Sequence, residues 1–410
     1  MPARVTDPDR TSETSDELRS PRRTGRVVML FEANPYPQDV RLRMEAESLV
    51  AAGYAVEVVV PRDRGQPRRE RVNGVDVHRF TAFDGSAHGA KGFLVEYVLA
   101  AVGLHWAALT AMLRGASVLH VHNPPDLLFP AAALFRLAGR KVVFDHHDLG
   151  PETVEVKFGP GTFSRLAQVC ERLTFAAANH VFATNASYAA IACGRGRKSP
   201  ADVTVVRNAP PSAWIELPLR ARDGALERVH LIYVGAISTQ DGVEGLAPVL
   251  AKLSASDSGI DPHLTVVGDG DGRATLEDEL VRHGVADRVT ITGWVPSERV
   301  PELIQEADVC VDPAPATDVN DCSTMTKIAE YLALGKPVVA YDLLETRRTV
   351  DGAAVLVAPG DVNAFAERVA ELARDPQLRS RLAVAARRRA TEISWEHSER
   401  AMLGAYAALV

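Results

Sequence analysis

Two doubly wound α/β domains facing each other across a cleft are the architecture this sequence predicts. Three observations carry the prediction. The chain has 410 residues, 46% apolar and 24% charged, which is globular composition at a length that suits two domains. Twelve short β-branched runs alternate with helical patterns in two series of six. A proline-dense, aperiodic stretch, NAPPSAWIELPLRARDGALE, separates the series and puts the linker at 208–228.

In chain order, residues 1–24 are polar, rich in Ser, Thr, Asp and Arg, and read as a disordered tail without the apolar core of a signal peptide. The first domain, 25–207, holds RVVMLF (26–31), AVEVVV (55–60), SVLHVH (117–122), KVVFD (141–145), HVFAT (180–184) and VTVV (203–206). Such near-continuous apolar runs suit central strands of a parallel sheet with helices on both faces. The second domain, 229–392, repeats the pattern with VHLIYVG (229–235), HLTVVGDG (263–270), RVTITG (288–293), DVCVDP (308–313), PVVAY (337–341) and AVLVAP (354–359). Residues 393–410 are expected to form a helix that crosses back to the first domain.

Two segments stand outside this plan. PRDRGQPRRERVNG (61–74) gathers Arg62, Arg64, Arg68, Arg69 and Arg71 in what should be one loop, either solvated or set against an anionic membrane surface or acidic acceptor. FLVEYVLAAVGLHWAALTAML (93–113) is long enough to cross a bilayer but carries Glu96 and His105, so a buried or surface-docked helix is the better reading.

Charge and cysteine usage narrow the class. The net charge of -7 divides unevenly: residues 1–210 carry 26 Lys and Arg against 22 Asp and Glu, residues 211–410 carry 20 against 31. An acidic chain whose arginine run has no interleaved aromatics argues against nucleic acid as a partner. Cys170, Cys193, Cys310 and Cys322 are scattered, with no metal spacing, and predict reduced thiols of a cytoplasmic protein, possible contact with the inner membrane face included.

Ligands of open parallel sheets bind beyond the carboxyl ends of the strands, so polar residues just after strands are the site candidates. The segment NDCSTMTKIAEYLALGKPVVAYDLLETR (320–347) reads as loop, helix, turn and strand. Free backbone N–H groups at the helix start, with Ser323, Thr324, Thr326 and the Lys327 ammonium nearby, suit a diphosphate. Glu330 lies one turn deeper on the same face, where a carboxylate can accept from two ribose hydroxyls. An ordinary capped helix with a solvated Lys and Glu pair accounts for the same residues. His146, His147 and Asp148 directly follow a strand, as do His122 and Asp126, and each set also fits a loop-bracing or core role. Asp39 and Arg41, in the first strand-to-helix loop, fit ligand contacts or a surface salt bridge. GDGDG (268–272) lacks dinucleotide or EF-hand spacing and reads as a tight turn. No GxSxG, Walker or HExxH motif occurs.

The 320–347 segment resembles the signature of retaining glycosyltransferases of family 4. PYPQDVRLRMEAESLVAAGYAVEVVV, HVHNPPD, VVFDHHDLGPE, VVRNAP, YVGAISTQDGVEGL, VVGDGDG, ITGWVPSERVPELIQEADVCVDP and ISWEHSER are similar to family segments in family order, from about residue 26 to the end. The resemblance implies a GT-B fold of two Rossmann-like domains and transfer from a nucleotide sugar, UDP-linked, to an acceptor hydroxyl, with no cofactor and no metal in the site. It implies a sugar or lipid-linked acceptor in surface polysaccharide or glycoconjugate synthesis, with a secondary-metabolite acceptor, a non-catalytic GT-B partner subunit or a UDP-sugar epimerase as alternatives. Glu330 matches the family's ribose-binding glutamate. Cys322 stands where a sugar-binding glutamate is usual, and Asp321 beside it is the candidate replacement. Arg and Lys usual after the second domain's first strand are absent from Gly235 to Gly242, which leaves Arg207 and Lys327 to hold the leaving charge and His147 to face the donor sugar. Donor contacts are assigned to Asp321, Ser323, Thr324, Met325, Thr326, Glu330, Gly235 and Trp294, and acceptor or sugar contacts to Asp39, Arg41, His122 and Asp148.

Overall fold

The computed structural model describes residues 25–81, 89–124, 126–210, 212–220, 222–255 and 259–410; the expected tail at 1–24 and the side chains of 89–94, 96, 97 and 157, Glu96 among them, lie outside the described residues. The first domain is an eight-stranded sheet of order β3-β4-β2-β1-β5-β6-β7-β8, parallel except for the β3–β4 pair. Its strands are β1 (Arg26–Leu30), β2 (Ala55–Pro61), β3 (Arg69–Val72), β4 (Val75–Phe80), β5 (Val118–His122), β6 (Lys141–His146), β7 (His180–Ala183) and β8 (Val203–Val205). All six expected runs are present. The two additional strands correct the reading of 61–74 as one loop: Arg69 and Arg71 belong to β3, which pairs with β4 across the Asn73–Gly74 turn. A largely exposed, charged strand at a sheet edge blocks further pairing, which is why its sequence does not look like a strand.

The helices of this domain are α1 (Val40–Ala51), α2 (Gly89–Leu113), α3 (Phe129–Leu137), α4 (Gly150–Phe158), α5 (Thr162–Ala177) and α6 (Ala186–Gly194). Asp39 caps α1, accepting from the Leu42 N–H at 2.9 Å, and Leu42, Ala46 and Leu49 pack on Val27, Met29 and Val58. On the opposite face α2 and α3 set Leu104, Ala108 and Phe135 against Leu30, Val121 and Phe144. Among the described residues no helix is long and apolar enough to cross a membrane.

A short helix, α7 (Ser212–Glu216), lies within the linker, where its Trp214 and Ile215 pack on the second domain. The second sheet runs β11-β10-β9-β12-β13-β14 and is wholly parallel, with strands β9 (Arg228–Val234), β10 (Asp261–Val267), β11 (Val289–Gly293), β12 (Val309–Asp312), β13 (Val338–Tyr341) and β14 (Val355–Val357). Its helices are α8 (Leu246–Leu253), α9 (Arg273–Arg282), α10 (Val300–Glu306), α11 (Asp318–Cys322), α12 (Thr326–Ala333), α13 (Leu344–Val350), α14 (Val362–Arg374) and α15 (Pro376–Glu392). The last helix, α16 (Trp395–Leu409), packs on the first domain, where Trp395 donates to the Ser48 hydroxyl at 3.2 Å and the Tyr406 hydroxyl lies 2.9 Å from His120 Nδ1.

Strand order reverses at β1/β5 in one sheet and at β9/β12 in the other. Loops leaving two such strands diverge to opposite faces and open a crevice at their carboxyl ends. The two crevices locate the candidate site.

Candidate active site

In the second domain the crevice is built from glycine-lined turns. Gly235 ends β9 at φ 149°, and a Cβ there would meet Lys327 Cε at 2.9 Å and the Tyr233 hydroxyl at 3.0 Å. Gly268, at φ 142°, presses on the Gly235 carbonyl so closely that a Cβ would collide with it. The GDGDG run is thus a turn that lets the loops after β9 and β10 touch. Gly268→Ala is expected to cost about 1–3 kcal/mol by overpacking and positive-φ strain, read as a lower denaturant midpoint at unchanged slope.

Beyond β12 the chain forms α11, capped by the Thr317 hydroxyl, breaks at Ser323–Met325, and restarts as α12 without a side-chain cap. Among the described residues, the backbone N–H groups of Thr324, Met325, Thr326 and Lys327 have no hydrogen-bond acceptor. They form the positive end of α12. The Ser323 hydroxyl is turned inward, donating to the Val319 carbonyl at 2.7 Å, whereas Thr326 is exposed. Asp321, the candidate sugar ligand, accepts from the Leu344 N–H at 2.7 Å and so braces the start of α13.

Lys327 differs most from expectation. Its side chain is 8% exposed, with Nζ 2.8 Å from Asp241 Oδ1, 3.5 Å from Asp312 Oδ1 and 4.7 Å above the Tyr233 ring. Burial alone would lower its pKa, but Asp312, Tyr233 and Asp241 outweigh burial and raise it. The ammonium is a shared cation rather than a free one. Glu330 is partly buried, and among the described residues nothing pairs with its carboxylate. Burial pushes its pKa up to about 7, against the pull of Lys327. Trp294, just past Gly293, is 72% exposed at the rim.

In the first domain a buried ionic cluster underlies the opposite lip. Arg41 clasps Asp145 through two bonds of 2.7 Å, reaches Glu45 at 3.1 Å, and donates to the Val206 carbonyl at 2.8 Å and Asn208 Oδ1 at 2.9 Å. It is 8% exposed, so the ligand-contact and surface-bridge readings of Arg41 are both replaced by a strut joining α1, β6 and the start of the linker. Asp39 is likewise occupied as the α1 cap and by Asn34, 3.2 Å away. His122 is 1% exposed, with Nδ1 3.1 Å from Asp145 and Nε2 3.8 Å from Glu45, so it supports the site from beneath. Burial lowers the pKa of both His120 and His122.

His147 is the histidine of this cluster that reaches the surface, at 14% exposure, with Nδ1 buried 3.6 Å from Asp145 Oδ2. Burial would lower its pKa, but the Asp145 carboxylate outweighs burial and raises it. His146 points the other way, against Glu171 at 3.4 Å. Asp148 is exposed. Asn123, which the sequence reading passed over inside HVHNPPD, shapes this loop: its Oδ1 accepts from the His147 and Asp148 N–H groups at 2.9 and 3.2 Å, and its Nδ2 donates to the Asp148 carbonyl at 2.7 Å.

The lips meet at α6. Asn185 donates 2.9 Å bonds to the Cys322 carbonyl and the Thr324 hydroxyl while capping α6 through the Tyr188 N–H. Ser187 donates from N–H (3.0 Å) and hydroxyl (2.6 Å) to Glu345, which also pairs with Arg348 at 2.7 Å. Arg207 sits at this junction, its N–H bonded to the Ser398 hydroxyl and its pKa lowered by burial against the opposing pull of Glu345. Asn185→Ala removes a cap and both bridges to the loop before α12. The expected cost is about 1–2 kcal/mol of stability, with a raised donor KM in steady-state assays.

Residues 38–209 match the family described as "Glycosyl transferase 4-like domain", and residues 228–375 match "Glycosyl transferases group 1". The chain is similar to the Alpha-D-kanosaminyltransferase of Streptomyces kanamyceticus, 32% identical over 40% of this chain and 42% of that one. It is similar to the 2-deoxystreptamine glucosyltransferase of the same organism, 30% identical over 35% and 36%. The matches thus span about two fifths of these curated relatives. In fold it is similar to Anabaena Alr3699/HepE solved in complex with UDP-glucose, with a TM-score of 0.69 at 17% identity over 94% of this chain and 100% of that one.

Proposed function

This chain belongs to the family-4 glycosyltransferases of GT-B fold, and from that premise we propose that it transfers a sugar with retention from a UDP-sugar to an acceptor hydroxyl, without a metal ion in the site. The observation that carries the reading is Glu330, an unpaired carboxylate one turn into a helix whose first N–H groups are unfilled. The carboxylate accepts from the ribose hydroxyls. The N–H groups of Thr324 to Lys327 and the Thr326 hydroxyl take the diphosphate, which competes with Asp241 for the Lys327 ammonium. Trp294 stacks on the base at the rim.

In the reaction the anomeric carbon–oxygen bond to the diphosphate breaks, the acceptor oxygen bonds to that carbon from the same face, and the departing phosphate takes the acceptor's proton. His147 donates through Nε2 to the donor sugar. Asp148, exposed beside it, meets the acceptor. Arg207 at the domain junction adds positive potential behind the leaving group.

The acceptor fits a saccharide of surface polysaccharide or glycoconjugate synthesis, carried on lipid. The similarity to a 2-deoxystreptamine glucosyltransferase supports a second reading, an aminocyclitol acceptor of secondary metabolism. Thermal unfolding of the full chain with UDP, GDP, ADP and their sugars tests the donor. A ligand at a hundred times its Kd stabilises the folded state by about 2.7 kcal/mol, so UDP and UDP-sugars should raise the melting point. No rise with any nucleotide would sink the proposal. Acceptor panels and the anomeric configuration of the product then test acceptor and retention.

A further inference from the structure

We propose that the outer face of α2, α3 and α5 docks on an anionic lipid bilayer and brings the cleft to acceptors carried there. The identity of those acceptors rests on the transferase reading; the docking does not.

These helices lie side by side over one face of the first sheet, with their inner sides in its core. A helix covering a sheet is ordinarily polar on its outer side, and one that is apolar all round needs a second cover. On α2 the outward Val98, Leu99, Val102 and Trp106 form one stripe at 47%, 54%, 64% and 68% exposure. On α5 Phe163, Leu166, Val169 and Leu173 form another, at 58%, 56%, 48% and 43%. Leu134 and Leu137 of α3, 42% and 86% exposed, carry the surface across the gap. The second domain shows no comparable run on neighbouring helices among its described residues.

Charge selects the occupant. Arg136, Arg165 and Arg172 are exposed on α3 and α5, whereas the one acid on these two helices, Glu171, is buried and paired with Arg195 at 2.6 Å. A surface of apolar and cationic residues matches headgroups over acyl chains, with arginine stems laid flat and Trp106 at the boundary. A second copy packed face to face about a two-fold axis would set arginines against arginines. Because no described helix crosses a membrane, the contact lies on the bilayer.

The patch also adjoins the cleft. α4 begins directly after the His147–Leu149 loop and ends at Val156 and Phe158, 76% and 40% exposed, where the Phe158 ring meets Phe163 of α5 at 6.2 Å. A nine-residue helix spans roughly 13 Å, which puts the catalytic lip within reach of a sugar held at the headgroups.

The test is co-sedimentation of the full chain with vesicles of phosphatidylcholine alone and of phosphatidylcholine with phosphatidylglycerol. Wild type should sediment with the mixed vesicles and be released by salt. The double variant Leu99→Glu/Leu166→Glu, at two exposed sites, should lose more than about tenfold of that partition while keeping its UDP-dependent melting rise. Wild type remaining in the supernatant would overturn the inference. So would a double variant that binds like wild type, loss of binding only on replacing Arg62, Arg64, Arg68, Arg69 and Arg71 with glutamine, or a wild-type dimer that the double variant splits. Absence of the UDP-dependent rise in wild type would count against the transferase reading alone.

Discussion

Replacing Arg41 with alanine is expected to lower the melting temperature more than any other single change considered. The guanidinium is 8% exposed and is the cation clasping Asp145 and Glu45, both 0% exposed. Burial alone would raise the Asp145 pKa; Arg41 and the two histidine contacts hold it well below the usual carboxylate range. Without Arg41 the buried Asp145 carboxylate keeps only its two histidine contacts, beside a Glu45 whose pKa burial and Asp145 already hold well above the usual carboxylate range. Removing one partner of a buried ion pair costs about 3–5 kcal/mol, and at about 2–4 °C per kcal/mol for a domain of this size the first transition should fall by roughly 10 °C. The sign with pH follows from the same groups. In the wild type the depressed Asp145 pKa contributes stability present above its unfolded value and lost as pH falls through its folded value. In Arg41→Ala that contribution is gone, so the gap between the two proteins should narrow once pH falls below the unfolded carboxyl value of about 3.9. Differential scanning calorimetry from pH 7 down to about pH 2 reads both, and a melting point within about 2 °C of wild type at pH 7 would show that Asp145 is compensated elsewhere.

Why the surroundings of Glu330 are legible in the sequence, and those of Arg41 are not, follows from where their partners lie. Glu330 sits inside one continuous string of loop, helix, turn and strand, so its neighbours Thr326 and Lys327 are sequence neighbours. Arg41 meets Asp145 and Val206, separated from it by 104 and 165 residues, and no local pattern records that meeting. Lys327 is intermediate: its place on α12 was legible, but Asp241, 86 residues away, redirects its charge. Asn185 and Ser187 went unnoticed because their partners, Cys322, Thr324 and Glu345, lie in the other domain.

The strands divide by a similar rule. Nine of the twelve expected runs became interior strands, where burial from both sides demands apolar residues, while β8, β11 and β14 end their sheets only partly buried. β3 and β4 lie at the sheet edge, where RERV is solvated and VDVHRF is buried only at alternate positions, so the same backbone pairing leaves no apolar run.

Glu330→Gln should weaken UDP-sugar binding and remove its dependence on pH. A carboxylate accepts from hydroxyls as a charged group, and each such bond contributes about 1.5–3 kcal/mol, so one lost bond lowers affinity by roughly 10- to 150-fold. The protonated acid is a much poorer acceptor. With a folded-state pKa of about 7, raised by burial against Lys327, the apo protein holds this carboxyl half protonated near neutrality. Wild-type affinity should therefore climb as pH rises from 6 to 8, because binding must release that proton, while the glutamine variant stays flat and weak. Stability of the apo protein runs the other way. A carboxyl raised above its unfolded value contributes stability that is full below the unfolded pKa and is lost as pH rises through about 7, so at pH 8 apo Glu330→Gln should melt no lower than wild type despite binding worse. Calorimetric titration of UDP across this range, in buffers of different ionisation enthalpy, counts the proton released. Equal wild-type affinity at pH 6 and pH 8 with no proton release would mean that Glu330 does not meet the ribose.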